Sequence, residues 1–288
     1  MKRVKSFFPL LAAVGLAALI AACQSAPAAL RTTHLYTDLD GTLLDERSEI
    51  PEGNRRALAR FRRAGGRVGI ATGRTPDRAL GYAGQIDADL PLIFANGAIV
   101  LHPDGRLLRL LSVDDPDDIR AICARIVTAG CTLIYTAHAD PRSGETRVDM
   151  GVCGPPADPA RKVVKLRARQ CAEHDALVRE LPRLTRGRYS VQESGAGSYR
   201  GVSIGPEGVD KGSALAFVLG QLGVEPARAA FIGDSGNDTP ALRMLREAGG
   251  RCFAMQNATD DVLAACPEQT EADNEHCGVA EAVERLLH

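Results

Sequence analysis

The sequence predicts an α/β protein in which a parallel sheet with flanking helices is interrupted by an inserted second domain. Short apolar strands alternate with helical stretches in two separate blocks of the chain, and the polar motifs that follow strands occur only in these blocks. Alternation of this kind is typical of a parallel sheet with helices on both faces. The length of 288 residues fits a core plus an insertion.

The alternation defines the elements in order. The first block predicts strands at 33–38, 67–71 and 92–95 and a helix at 51–64. The second block predicts helices at 211–222, 238–248 and 279–287 and strands at 229–233 and 251–255. The looser segment between the blocks predicts helices at 116–129 and 161–181 and strands at 131–135 and 189–192. We therefore divide the chain into a signal peptide (1–22), a tether (23–33), a first core segment (34–102), an inserted α+β cap (103–199) and a second core segment (200–288).

The N-terminus resembles an export signal. A basic start precedes an apolar run at 7–22, and small residues precede Cys23. The run is short for a membrane-spanning helix, which needs about 20 apolar residues. Ile20-Ala21-Ala22-Cys23 is similar to the bacterial lipobox, which implies a lipid anchor on Cys23. Because Gln24 rather than Asp follows, we expect an exported protein held on the outer membrane and facing the periplasm.

Charge and cysteine content add two expectations. The formal net charge of −1 becomes −4 once Lys2, Arg3 and Lys5 are removed with the leader, which argues against a nucleic-acid partner. An oxidising compartment permits disulfides, and we expect them within the cap. The candidate residues are Cys123, Cys131, Cys153 and Cys171.

The strongest motif is Asp38-Leu39-Asp40-Gly41-Thr42, which lies at the carboxyl end of an apolar strand. Carboxylates two residues apart can both point into one cleft once the chain turns, and Gly41 permits that turn. Ligands of open α/β sheets bind at this edge. The motif therefore places two acidic side chains at a candidate site.

A second acidic motif, Gly233-Asp234-Ser235-Gly236-Asn237-Asp238, follows a later strand. Its carboxylates suit Mg²⁺, which prefers hard oxygen ligands. Taken alone, Asp238 could simply cap the helix that follows. The pairing with the first motif favours a magnesium site.

Thr72, in Ala71-Thr72-Gly73-Arg74, and Lys211 complete the constellation. A hydroxyl and an ammonium group can stabilise the oxygens of a phosphoryl group during its transfer. Each residue alone would more commonly be an ordinary surface residue. Their order along the chain supports a functional role.

Together the four elements resemble those of the haloacid dehalogenase superfamily. The resemblance implies a Rossmann-like core, and Asn96-Gly97-Ala98 is similar to the Cof-like branch, subclass IIB, whose α+β cap is of the C2 type. Two further segments share that similarity, at 205–212 and 254–258. Cys277 departs from the pattern, because an acidic residue is usual there.

The resemblance implies a phosphatase that forms an aspartyl-phosphate intermediate. Asp38 would attack phosphorus, and Asp40 would protonate the leaving alcohol and then activate water. Thr72 and Lys211 would hold the phosphoryl oxygens. Magnesium would be held by Asp38, the main-chain carbonyl of Asp40 and Asp234. Asp238 would either bind the metal directly or support one of its ligands. The expected substrate contacts are Thr72, Gly73, Arg74, Asn96 and Asn237.

Other functions remain open at this stage. Phosphosugar mutases share the paired aspartates, although a mutase must exclude water and needs an activated sugar bisphosphate. An exported binding protein could keep the fold without the reaction. The expected substrate is a small phosphorylated metabolite, with sugar phosphates the first candidates, and the oligomeric state is open.

The cap contains a basic segment with residues Arg161, Lys162, Lys165, Arg167 and Arg169. A phosphate-binding role is one interpretation of this segment. The spacing suits a solvated face of the helix predicted at 161–181 at least as well, and we adopt that interpretation as the expectation.

Overall fold

A computed structural model describes residues 30–143, 145–194 and 200–288 of the chain. The strands are β1 (His34–Thr37), β2 (Arg67–Ile70), β3 (Leu92–Phe94), β4 (Ile99–Leu101), β5 (Leu107–Leu110), β6 (Cys131–Ala139), β7 (Thr146–Met150), β8 (Lys162–Cys171), β9 (Tyr189–Ser194), β10 (Gly201–Pro206), β11 (Ala229–Gly233) and β12 (Arg251–Ala254). The α-helices are α1 (Glu52–Arg63), α2 (Pro76–Gln85), α3 (Pro116–Thr128), α4 (His174–Leu184), α5 (Lys211–Leu222), α6 (Thr239–Glu247), α7 (Asp260–Ala265) and α8 (Gly278–Leu287).

The core sheet is parallel, in the order β12-β11-β1-β2. A parallel bridge between Ala71 and Ile93 continues it towards β3. The three strands β3, β4 and β5 also form a small antiparallel sheet that leads into the cap. The predicted α/β fold with a parallel core sheet is thus confirmed.

Neighbouring residues of β1 face opposite sides of the sheet. Leu35 packs in one apolar cluster with Phe61 of α1, whereas Tyr36 packs in another with Leu215 of α5. All four side chains are fully buried, and burial stabilises each by about 1.5–3 kcal/mol. Helices therefore cover both faces and leave the strand ends as the accessible edge.

The cap is an antiparallel sheet in the order β7-β6-β8-β10-β9. One face carries an apolar cluster in which Leu166 and Ile204 pack with Ile122 of α3 and Leu177 of α4. β10 pairs with both β8 and β9, so the cap sheet extends to residue 206, beyond the limit predicted at 199.

The helix predicted at 161–181 is wrong. β8 occupies 162–171, and α4 begins only at His174. From Lys165 to Arg169, polar and apolar residues alternate, and Leu166 and Ala168 lie in the cap core. That period of two is the strand pattern, so the basic residues project from the opposite face of the sheet.

Two disulfides lie in the cap, as expected from the cysteine content. Cys123 is bonded to Cys153, and Cys131 is bonded to Cys171 on the adjacent strand. Such crosslinks typically stabilise a fold by about 2–4 kcal/mol each. The described core retains the free cysteines Cys252, Cys266 and Cys277.

The predicted signal peptide (1–22) and Cys23 lie outside the described residues. The predicted tether (23–33) ends too late, because Leu30 packs against the core and Thr32 is buried. The backbone amide of Thr33 donates to the carbonyl of Arg228 at 2.8 Å. Within 30–143, 145–194 and 200–288, no helix has the length and apolar character needed to cross a membrane.

Candidate active site

The ends of three neighbouring strands bring the predicted motifs together. The amide of Asp38, just after β1, donates to the carbonyl of Ile232 in β11 at 3.0 Å. The amide of Ala71, just after β2, donates to the carbonyl of Thr37 at 3.0 Å. Asp38, Thr72 and Asp234 therefore emerge at the same edge of the sheet.

Lys211, the first residue of α5, reaches this edge from the side. Its ammonium nitrogen lies 2.9 Å from Asp38 Oδ1 and 2.6 Å from Asp238 Oδ1. The Lys211 side chain is fully buried, and both carboxylates are nearly so. Burial opposes the charged form of Lys211, but the two carboxylates outweigh it and hold the pKa of the ammonium above its ordinary value.

Three carboxylates, those of Asp38, Asp234 and Asp238, offer oxygens that all lie within 4.8 Å of one another. Burial and repulsion from Asp238 and Asp40 raise the pKa of Asp38 to about 7, although Lys211 opposes the shift. Burial, Asp238 and Asp38 likewise raise the pKa of Asp234. A compact set of hard oxygen donors with excess negative charge fits a divalent cation such as Mg²⁺.

Asp238 holds the loop that carries Asp234. Its Oδ2 accepts hydrogen bonds from the backbone amides of Asp234 and Ser235, at 3.0 and 3.1 Å. Its side chain makes no capping hydrogen bond to α6. Asp238 thus occupies the N-cap position of α6, but its carboxylate orders the acidic loop and Lys211 and does not cap the helix.

Gly41 and Thr42 shape the same pocket. The Thr42 hydroxyl donates to Asp234 Oδ1 at 2.6 Å, a role that the sequence did not predict. Gly41 has a φ of +75°, and a Cβ atom there would lie 2.4 Å from Asp234 Oδ2. Only glycine permits this approach without displacing the carboxylate.

The Asp40 side chain lies outside the carboxylate cluster and pairs with Arg74. The guanidinium donates from Nε to Oδ2 at 2.9 Å and from Nη2 to Oδ1 at 2.5 Å. The Asp40 side chain is 60% exposed, so the desolvation that opposes its ionisation is partial, and the hydrogen bonds and charge of Arg74 hold the pKa of Asp40 below its ordinary value. Of the predicted metal residues, Asp40 is thus the one whose side chain lies outside the cluster.

The remaining predicted substrate contacts form a polar network at the edge of the site. Asn237 Nδ2 donates to Asn96 Oδ1 at 3.0 Å, and Asn96 Nδ2 donates to Gln192 Oε1 of the cap at 2.6 Å. The Thr72 hydroxyl accepts from the amide of Arg74 at 3.1 Å. A Cβ atom at Gly73 would lie 2.9 Å from Asn96 Oδ1, so this segment runs close to the network.

The polar face of β8 turns towards the site. The expectation of a solvated helix face, which would have put these residues in solvent, is therefore wrong. Lys165 is buried, and its ammonium donates to the carbonyl of Gly73 at 2.5 Å. With Arg167 and Arg169, it lines a cleft between cap and core. The alternation of charged and apolar residues from 165 to 169 was the signal that could have revealed this arrangement.

Comparison with known proteins agrees with this geometry. The chain matches the family of haloacid dehalogenase-like hydrolases over residues 35–140 and 156–283. Because the match covers most of the chain, the protein belongs to that family.

Curated relatives of the chain are phosphatases by name. A phosphoglycolate phosphatase of Methanopyrus kandleri is 28% identical over 261 residues, covering 89% of this chain and 97% of the relative. An HMP-PP phosphatase of Citrobacter koseri is 27% identical over 240 residues, covering 80% and 86%.

Solved structures share the fold. A haloacid dehalogenase-like hydrolase of B. subtilis superposes with a TM-score of 0.73 at 20% identity, covering 88% of this chain and all of that one. A subclass IIB sugar phosphatase superposes with a TM-score of 0.69 at 19% identity, covering 88% and 98%. At these identities, the likeness shows the fold alone.

Proposed function

We propose that the protein is a Mg²⁺-dependent phosphatase that hydrolyses small phosphomonoesters through an aspartyl-phosphate on Asp38. The observation that carries the proposal is the buried contact of Asp38 with Lys211 beside two further carboxylates. A carboxylate held in this way has a fixed orientation at the sheet edge where ligands bind. Asp38 is therefore the nucleophile that the site presents.

In the first step, a carboxylate oxygen of Asp38 bonds to phosphorus as the bond to the leaving oxygen breaks. Lys211 contacts Asp38 and Thr72 follows the neighbouring strand β2, and their donors would hold the phosphoryl oxygens. Mg²⁺ bound by Asp38, Asp234, Asp238 and the main-chain carbonyl of Asp40 would neutralise charge on the phosphate. In the second step, water replaces Asp38 on phosphorus and phosphate leaves.

Asp40 would move protons on the cap side of Asp38. Its ion pair with Arg74 keeps it ionised, which is the form that accepts a proton from water in the second step. To protonate the leaving oxygen in the first step, Asp40 must first take up a proton from solvent, which requires its separation from Arg74. A phosphate dianion is the partner that Arg74 would take instead.

The relatives support a small substrate and hydrolysis. Their names specify phosphatases of small phosphorylated molecules. Asp38, Asp40, Lys211 and Asp234 all occupy the site, which argues against a protein that only binds. Hydrolysis needs no activating bisphosphate, which favours it over mutase chemistry.

The test is release of phosphate from p-nitrophenyl phosphate and from a panel of sugar phosphates, with Mg²⁺ and with EDTA. We expect hydrolysis that EDTA abolishes and excess Mg²⁺ restores. Failure to hydrolyse any member of the panel in the presence of Mg²⁺ would contradict the proposal.

The carboxylate cluster predicts that Mg²⁺ stabilises the fold through Asp234. At 100 times the dissociation constant, a ligand adds about 2.7 kcal/mol to the free energy of unfolding. We expect Mg²⁺ to raise Tm in the wild type and in the surface variant Asp87→Asn, but much less in Asp234→Asn. If calorimetry shows that Mg²⁺ raises Tm equally in Asp234→Asn and in the wild type, Asp234 is not a metal ligand.

We also propose that the protein is exported and anchored through a lipid on Cys23, on the outer membrane facing the periplasm. The two cap disulfides support an oxidising location. Bacteria grown with labelled palmitate should incorporate label into the wild type and not into Cys23→Ser. Equal labelling of both proteins would exclude Cys23 as the lipidation site.

A further inference from the structure

The cleft between cap and core has a strongly positive lining. The basic side chains that line it come from both domains: Arg74, Arg78, Lys165, Arg167 and Arg169. Of the described residues that form the lining, none is acidic. Concave sites lined by one sign of charge concentrate ligands of the opposite sign.

The cleft opens beside Asp40 and therefore on the side where the leaving group would lie. Arg74 belongs to the cleft lining and forms the ion pair with Asp40. The positive charge of Arg167 also acts on Asp40. Lys211 and Thr72, which would hold the transferred phosphoryl group, are not part of the lining, so the cleft cations exceed what that group needs.

Burial and mutual repulsion act on the basic side chains of the cleft. Burial, followed by repulsion from Arg167 and Arg78, lowers the pKa of Lys165 to about 7. Burial and Arg169 likewise lower the pKa of Arg167. A bound anion would offset this repulsion and form charge-assisted hydrogen bonds.

We propose that the leaving group of the substrate carries a second anionic group, a carboxylate or a phosphate, which binds Lys165, Arg167 and Arg169. This inference rests on the proposed phosphatase function and narrows its substrate class. Arg167 and Arg169 stand on the same face of β8, which fixes their spacing. Recognition would therefore be built into the cap strand.

The test compares kcat/KM within two matched pairs of substrates. The carboxylate pair is 3-phosphoglycerate and glycerol 3-phosphate, and the phosphate pair is fructose 1,6-bisphosphate and fructose 6-phosphate. In at least one pair, we expect the substrate with two anionic groups to have a kcat/KM roughly 10- to 100-fold higher than its partner, as charged hydrogen bonds imply. The pair within which kcat/KM differs shows whether the second anionic group is a carboxylate or a phosphate.

Variants test whether the cleft residues cause the preference for a second anionic group. In Arg167→Gln/Arg169→Gln, we expect the kcat/KM ratio of the discriminating pair to fall to about one. Arg179→Gln, which removes the same charge from an exposed position of α4, should keep the wild-type ratio.

The outcomes separate the two proposals. Hydrolysis without preference in either pair of the wild type would overturn this inference alone, and so would an unchanged ratio in the double variant. No hydrolysis of these substrates or of p-nitrophenyl phosphate would overturn the proposed function and this inference with it.

Discussion

Replacement of Asp38 by Asn is expected to lower kcat for p-nitrophenyl phosphate by at least about 10⁴-fold, the scale seen when a catalytic nucleophile is removed. The amide has nearly the same shape as the carboxylate but is a far poorer nucleophile towards phosphorus. The same substitution should not lower the stability of the metal-free protein. Burial and neighbouring carboxylates raise the pKa of Asp38 to about 7, so the fold disfavours the charge that Asn removes.

The measurement pairs steady-state kinetics with thermal unfolding in EDTA. Asp87→Asn, a change of the same chemistry at an exposed residue, is the control and should retain wild-type kinetics. An Asp38→Asn protein that is folded and keeps more than a few per cent of wild-type kcat would exclude Asp38 as nucleophile.

Replacement of Lys211 by Met is expected to lower the metal-free free energy of unfolding by about 3 kcal/mol and to abolish most activity. The substitution leaves the buried carboxylates of Asp38 and Asp238 without the ammonium that now contacts both. Mg²⁺ should recover part of the stability, because it would supply positive charge to the same carboxylates. Activity should not recover, since the phosphoryl group would still lack the Lys211 donor.

Lys165→Met is a matched control for stability, because Lys165 is also a buried lysine. Its neighbours include Arg167 and Arg78, and burial together with these cations lowers its pKa. Lys165→Met should therefore lose only the hydrogen bond to the carbonyl of Gly73 and should lower the free energy of unfolding by less than Lys211→Met does. Equal losses in both variants, measured by urea unfolding in EDTA, would show that carboxylate pairing does not distinguish Lys211.

The core could be predicted because its information is local. The apolar residues before Asp38 and Asp234 form buried strands, and a parallel sheet places the ends of neighbouring strands at one edge. The cap cysteines could be named as disulfide candidates from the cysteine content of the chain and from the predicted export signal. Which cysteine bonds to which depends on the pairing of β6 with β8, which the sequence does not state.

Some features were missed because they depend on contacts between residues distant in the sequence. Another was missed because a helical periodicity was assigned to a segment that has the period of a strand. The Asp40–Arg74 and Lys211–Asp238 pairs join residues 34 and 27 positions apart, and no local pattern encodes either contact. The face of β8 was missed because five basic residues close together were assigned to a helix. The strict alternation from Lys165 to Arg169 indicates a strand, and it places these basic residues on the face that lines the cleft between cap and core.

The most direct test of the central claim is detection of the phosphorylated enzyme in Asp40→Asn. The p-nitrophenolate leaving group needs little protonation, so Asp38 should still be phosphorylated, whereas hydrolysis should be slow without the Asp40 base. Acid-quenched protein should show one added phosphoryl group that peptide mapping locates on Asp38 and that hydroxylamine removes. Phosphate release without a covalent adduct, or an adduct on another residue, would contradict the account.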